Sequence, residues 1–102
     1  QRSDSTSVSS TSATTIATHA VGTYRSVKYN VQITQGSNYH STEINVIHDG
    51  STVYLTEYGT IFTGSSLATF DATISSGNLL LQTTMGSASS ATIKVMSTAV
   101  TV

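Results

Sequence analysis

The sequence predicts an all-β protein, an antiparallel β-sandwich of about eight strands with a jelly-roll or Greek-key-like course. Three observations carry that expectation. From Ala13 onward, β-branched and aromatic residues alternate with polar ones, which is the two-residue period of strands with one buried face. Glycines at Gly22, Gly36, Gly50, Gly64 and Gly77 follow one another at intervals of 14, 14, 14 and 13 residues, the rhythm of strands and turns of equal length. Helix is disfavoured, because Thr, Val, Ile and Tyr lose rotamer freedom in a helix and no window sets apolar residues at helical spacing.

The first twelve residues contain Val8 as their only large apolar side chain among Ser, Thr and charged groups. So polar a stretch gains little from burial to offset the entropy of ordering it, and residues 1–12 are expected to form a flexible Ser/Thr-rich arm or linker. The remaining residues, 13–102, are expected to form one sandwich domain, a length that buries a core without a metal or a crosslink.

The first strand is expected at about Thr14 to Val21. Val27, Tyr29, Val31 and Ile33 then alternate with Lys28, Asn30 and Gln32, and after the turn residues Gln35 to Asn38 the pattern returns with Ile44 and Val46 on one face. That turn sets Val27 opposite Val46 and Tyr29 opposite Ile44. Asp49-Gly50 is the signal of a two-residue type I′ hairpin turn, which sets Val46 opposite Val53, Ile44 opposite Leu55 and Thr42 opposite Glu57. The result is a three-stranded meander. Further strands are expected at Thr60 to Thr63, Ala68 to Ile74, Leu79 to Thr84 and Thr92 to Val102. Leu79, Leu80 and Leu81 are consecutive, so their strand is expected to bury both faces, either in the core and against a partner or at a place where the sheet edge is covered.

Composition excludes several functions. Ser and Thr number 18 and 19 among 102 residues, while charged residues make up 9% and the net charge is −1. Such a chain has no electrostatic footprint for phosphates or an anionic bilayer, so neither nucleic acid nor membrane is an expected partner. The absence of Cys removes disulfides and thiolate chemistry. Apolar runs such as Leu79 to Leu81 are far too short to span a bilayer. The chain opens on Gln1 rather than Met, as expected of a segment of a longer polypeptide or a processed product.

Candidate chemistry is sparse. His19, His40 and His48 lack metal-ligand spacing; His40 and His48 on one strand lie about 26 Å apart, and all three are expected on the surface, with a metal conceivable only on an oligomer axis. Glu57 falls on the core face at the end of the hairpin and is expected to bond a hydroxyl or Arg25. No carboxylate pair, nucleophile elbow or phosphate loop is present, and an enzyme would need a site assembled from Glu57, Asp71 and a histidine. Lys28, Asn45 and Glu43 share one face in the combination that forms intramolecular isopeptide crosslinks in some adhesin domains, but that face is expected to be open to solvent. Tyr54 projects outward beside Asn45, and with loop residues Tyr39 and Asn38 it forms a candidate contact for glycan or a partner protein. No catalytic residue, cofactor or metal is expected.

Four stretches between Lys28 and Leu81 carry a resemblance: K-Y-x-V-Q-I-T-Q-G, V-I-H-D-G, T-E-Y-G-T-I-F-T-G-S and F-D-A-x-I-S-x-G-N. Together they resemble a domain found in virion structural proteins of tailed bacteriophages, especially those infecting marine cyanobacteria. The resemblance implies a place in the virion, as a capsid-decorating, neck, tail or fibre component, and no catalytic activity. It also implies other virion proteins as partners and a homo-oligomer, a trimer being natural for fibre-like parts. The expectation from another class is a carbohydrate- or host-surface-binding module of a phage appendage.

Overall fold

The computed structural model describes all 102 residues and contains eight strands and no helix. They are β1 Arg2–Val8, β2 Thr14–Ala20, β3 Tyr24–Gln35, β4 Asn38–His48, β5 Val53–Phe62, β6 Ala68–Ser75, β7 Asn78–Met85 and β8 Ala91–Thr101. A five-stranded sheet in the order β1-β8-β3-β4-β5 faces a three-stranded sheet in the order β2-β7-β6. All ladders are antiparallel. The outer strands nest, β1 with β8 and β2 with β7, in the manner of a rolled-up hairpin, whereas β3, β4 and β5 run as a simple meander. The expected antiparallel sandwich is thus the observed fold.

Strand alternation produces the core directly. Val27, Tyr29, Val31 and Ile33 of β3 are buried with Ile44 and Val46 of β4 and with Ile93 and Val95 of β8. They meet Leu79, Leu81 and Met85 of β7 from the opposite sheet, with Ile16 and Ala17 of β2. The Gly36-Ser37 turn closes the first hairpin in the expected register, Val27 opposite Val46 and Tyr29 opposite Ile44.

Four expectations need correction. Residues 2–8 are not an arm: β1 pairs with β8 from Arg2 opposite Ser97 to Val8 opposite Ala91. Ladder hydrogen bonds and the burial of Val8 order a stretch whose side chains alone could not. The second hairpin is slid by two residues, with Val46 opposite Leu55 and Ile44 opposite Glu57. Asp49 causes the slide: its Oδ1 accepts from the amides of Ser51 and Thr52 at 3.0 and 2.8 Å, and its own amide donates to the Thr52 carbonyl at 3.1 Å. That builds a longer loop in which Gly50 takes a positive φ of 104° and Asp49 does not, whereas the I′ turn needs both. The expected strand at Thr60 to Thr63 is the continuation of β5 through a bulge, made at Gly59 with a φ of 66°. Finally, Leu79 and Leu81 are buried but Leu80 is only half-buried, on the outward face between Thr18 and Thr73.

The Leu79 to Leu81 triplet gives a direct check on the register. Leu81→Ala removes a side chain enclosed between the sheets and is expected to cost about 2–5 kcal/mol. Leu80→Ala is expected to cost about 1 kcal/mol, in line with partial burial. Urea denaturation of both variants measures the contrast, and equal losses would contradict the facing described.

Candidate functional site

The outer face of the five-stranded sheet consists of cross-strand rows fixed by the ladders. One row runs Val100, Ser26, Ile47, Tyr54; the next runs Thr98, Lys28, Asn45, Thr56; a third runs Met96, Asn30, Glu43, Tyr58. In the first row Val100, Ile47 and Tyr54 are 62%, 48% and 57% exposed. Ser26, small and set between Val100 and Ile47, leaves a trough there. The resulting shallow groove holds about 430 Å3 and takes Lys28, Asn45 and Thr56 as its polar side. Lys28 Nζ lies 3.8 Å from Glu43 Oε1. The Tyr58 hydroxyl, and after it Glu43, hold the ammonium in its charged form and raise its pKa. Asn45 Nδ2 donates to the Tyr58 hydroxyl at 3.4 Å.

The structure therefore brings together two of the four expected contact residues, Tyr54 and Asn45, with Asn45 diagonal to Tyr54 rather than opposite it. Tyr39 lies at the other end of β4, about 26 Å from Ile47 along the strand, in a separate hollow of about 310 Å3 with Ile61 and Phe62. Asn38 closes the β3–β4 turn opposite Gln35. Ile47, Ser26 and Val100 escape sequence reasoning for two causes: the slid hairpin puts Ile47 beside Tyr54, and Val100 reaches Ser26 on a strand remote in sequence.

The three histidines are buried, contrary to the expected surface positions. Each lies on an inward-facing position and finds local partners there. His48 Nδ1 accepts the Gly50 amide at 3.0 Å, so Nε2 carries the proton and donates to the Tyr24 carbonyl at 2.6 Å. His40 Nδ1 accepts the Leu67 amide at 3.1 Å, which leaves its Nε2–H without a partner beside the rings of Phe62 and Phe70. His19 Nδ1 lies 3.4 Å from Arg2 Nη2 and 3.5 Å from the Tyr29 hydroxyl. His40 and His48 stand at opposite ends of β4 and His19 on the other sheet, an arrangement that brings no two of them to one ion.

Glu57 bonds hydroxyls, as expected: its Oε2 accepts from Thr42 at 2.9 Å and from Thr60 at 3.3 Å. Arg25 instead donates to the His48 carbonyl at 3.1 Å. Asp71 accepts the adjacent Ala72 amide at 2.8 Å. Glu57, Asp71 and a histidine thus share no reaction centre.

No family model matches the sequence, and no curated protein matches it. Among solved structures, the tailspike protein of Acinetobacter phage vB_ApiP_P1 superposes with a TM-score of 0.62 at 20% identity, covering 95% of this chain and 21% of that one. The tailspike protein of Acinetobacter baumannii phage AM24 covers 96% of this chain and 26% of that one at 13% identity, with a TM-score of 0.32, too loose a superposition to carry an argument. The chain has the fold of about one-fifth of the first tailspike.

The buried rings make stability depend on pH. Burial, then Arg2, lowers the pKa of His19 below 6.5 against a smaller opposing effect of Asp4. Burial lowers that of His40, partly offset by Glu57. Below 6.5 the unfolded chain then binds more protons than the folded one, so stability is complete above 6.5 and falls as the pH drops through the folded-state values. Asp49, whose pKa its turn amides hold below 3.8, adds a separate loss at more acidic pH. Urea midpoints measured from about pH 8 to about pH 5 should decline below about pH 6.5; a flat profile would show that the rings accept protons freely in place.

Proposed function

We propose that this domain is a non-enzymatic structural module of a phage tail appendage that joins other virion proteins, or further copies of itself, through the outer face of its large sheet. The observation that carries the proposal is the row of exposed Val100, Ile47 and Tyr54 around the Ser26 trough. Contiguous exposed apolar side chains on an otherwise hydroxyl-rich face mark an interaction surface. Low charge favours the same use, because little charge must be desolvated when the face is covered. The likeness to part of a tailspike supports the appendage. The uses made of His19, His40, His48, Glu57 and Asp71 in packing and turns support the absence of catalysis. A trimer and a cyanobacterial host belong to the same proposal as its finer form.

A second function is favoured by one observation: Tyr54 stands beside Lys28, Asn45 and Thr56, an aromatic wall with a polar side, which suits a saccharide on a host surface. One purified domain tests both. Binding to separated virion proteins, or self-association in sedimentation, is expected and is expected to disappear in Ile47→Ser/Val100→Ser, with folding stability within about 0.5 kcal/mol of the parent. Saccharide-array binding that Tyr54→Ala abolishes, without binding to any virion protein, would put the second function in place of the first. Binding to neither would overturn both.

A further inference from the structure

The seam between β1 and the body of the sandwich is polar at one end and apolar at the other. Val8 is buried at the C-terminal end of β1, but the N-terminal end meets the core through Arg2 and Asp4. Arg2 Nη2 donates to the Thr18 carbonyl at 2.6 Å and lies 3.4 Å from His19 Nδ1, while Arg2 Nε is paired with Asp4 Oδ2 at 3.2 Å. From β3 the Tyr29 hydroxyl lies 3.5 Å from the same Nδ1, and Tyr24 and Tyr29 stand edge-on to the imidazole with centroids at 5.4 and 5.7 Å. β7 and β8 bring no titratable group to this place, contributing Leu79 opposite His19 and the buried, unpartnered hydroxyl of Ser97 opposite Arg2. The titratable and charged groups facing the ring are therefore Arg2 and Asp4 from β1 and Tyr24 and Tyr29 from β3.

A guanidinium can only donate, so its approach to Nδ1 requires a neutral imidazole with a bare Nδ1. A proton on Nδ1 would aim an N–H at Arg2 and set two cations about 3.4 Å apart in a part-buried place. The Tyr29 hydroxyl can turn to accept the new proton, and Tyr29 itself is enclosed in the core. Arg2 is the partner free to leave, since its side chain opens to solvent. Its departure also removes the donor to the Thr18 carbonyl and the ion pair with Asp4. We propose that protonation of His19 expels Arg2 and opens the N-terminal half of β1, so that mild acid uncovers the β8 edge at Val95 to Ser97 while the rest of the sandwich stays folded. The edge so exposed is a row of unpaired backbone groups able to take up another strand. This device is independent of the ligand of the outer face.

Residue-resolved hydrogen exchange at about pH 8 and about pH 5, corrected for the intrinsic chemical rate, tests it on the whole chain. Those amides between Ser3 and Thr6 that donate to β8 should lose protection by about tenfold or more in acid, while those of Val27 to Ile33 keep theirs. His19→Asn retains an acceptor oxygen near the position of Nδ1 and does not titrate, so its β1 amides should be equally protected at both pH values. Should that variant not fold, Arg2→Gln removes the second cation and should likewise abolish the pH dependence. Unchanged protection in the parent, an equal acid loss in His19→Asn or Arg2→Gln, or a uniform loss over all eight strands would each overturn the proposal.

Discussion

Strand β8 is the constraint on which the rest of the fold depends. It lies between β1 and β3 and completes a ladder on each side, Arg2 to Val8 on one and Tyr24 to Thr34 on the other. Without it β1 has no partner at all, and β3 becomes an edge. It also delivers Ile93 and Val95 to the centre of the core and Val100 to the outer groove. Because Arg2 pairs with Ser97, the large sheet closes only after a long loop has been brought together. Folding dominated by such distant pairings is slow, since loop-closure entropy must be met before the contacts form.

The inequality of the two sheets determines where the molecule is exposed. Three strands cannot cover five, and β5 overhangs: none of its residues is buried, and Leu55, Tyr58, Ile61 and Phe62 remain exposed on one face or the other. The polar groups of its inner face are accommodated for the same reason. Glu57 lies opposite Ile44 yet stays at the open rim, where the Thr42 and Thr60 hydroxyls bond it and solvent reaches it. A carboxylate one strand further in would have required a full countercharge.

What the sequence disclosed was local. Alternation in β3 and β4 identified the core face residue by residue, and the Gln35 to Asn38 turn fixed the first register, because side-chain period and turn chemistry act over a few residues. The second register failed at Asp49, whose side chain competed with the hairpin turn by binding the amides of Ser51 and Thr52. The histidines failed differently. His40 and His48 stand on the same parity as Ile44 and Val46, so alternation alone places them inward, whereas missing ligand spacing says nothing about burial; the backbone amides of Leu67 and Gly50 satisfy them there. Order in residues 2–8 was invisible because it comes from β8. Half of the groove, Tyr54 with Asn45, was legible, whereas Ile47 and Val100 required the true ladders.

The two free edges of the large sheet differ: the ladder of β1 is unbroken, whereas that of β5 is interrupted by its bulge. A flat edge with unpaired amides would invite strand addition. Gly59 breaks the ladder in mid-strand, at a positive φ of 66°, and locally sharpens the twist. A Cβ there would sit at ordinary contact distance, 3.6 Å from Glu43 Oε2, so the positive φ alone is what favours glycine at this position. A strand added along β5 would therefore match it on one side of the bulge and lose register on the other. On the outer face Val100, Ser26, Ile47 and Tyr54 form a row across four strands, next to the irregularity that β3 makes against β8 between Tyr24 and Ser26. Association through the outer face, as proposed above, would use side chains and would leave the interrupted ladder of β5 untouched.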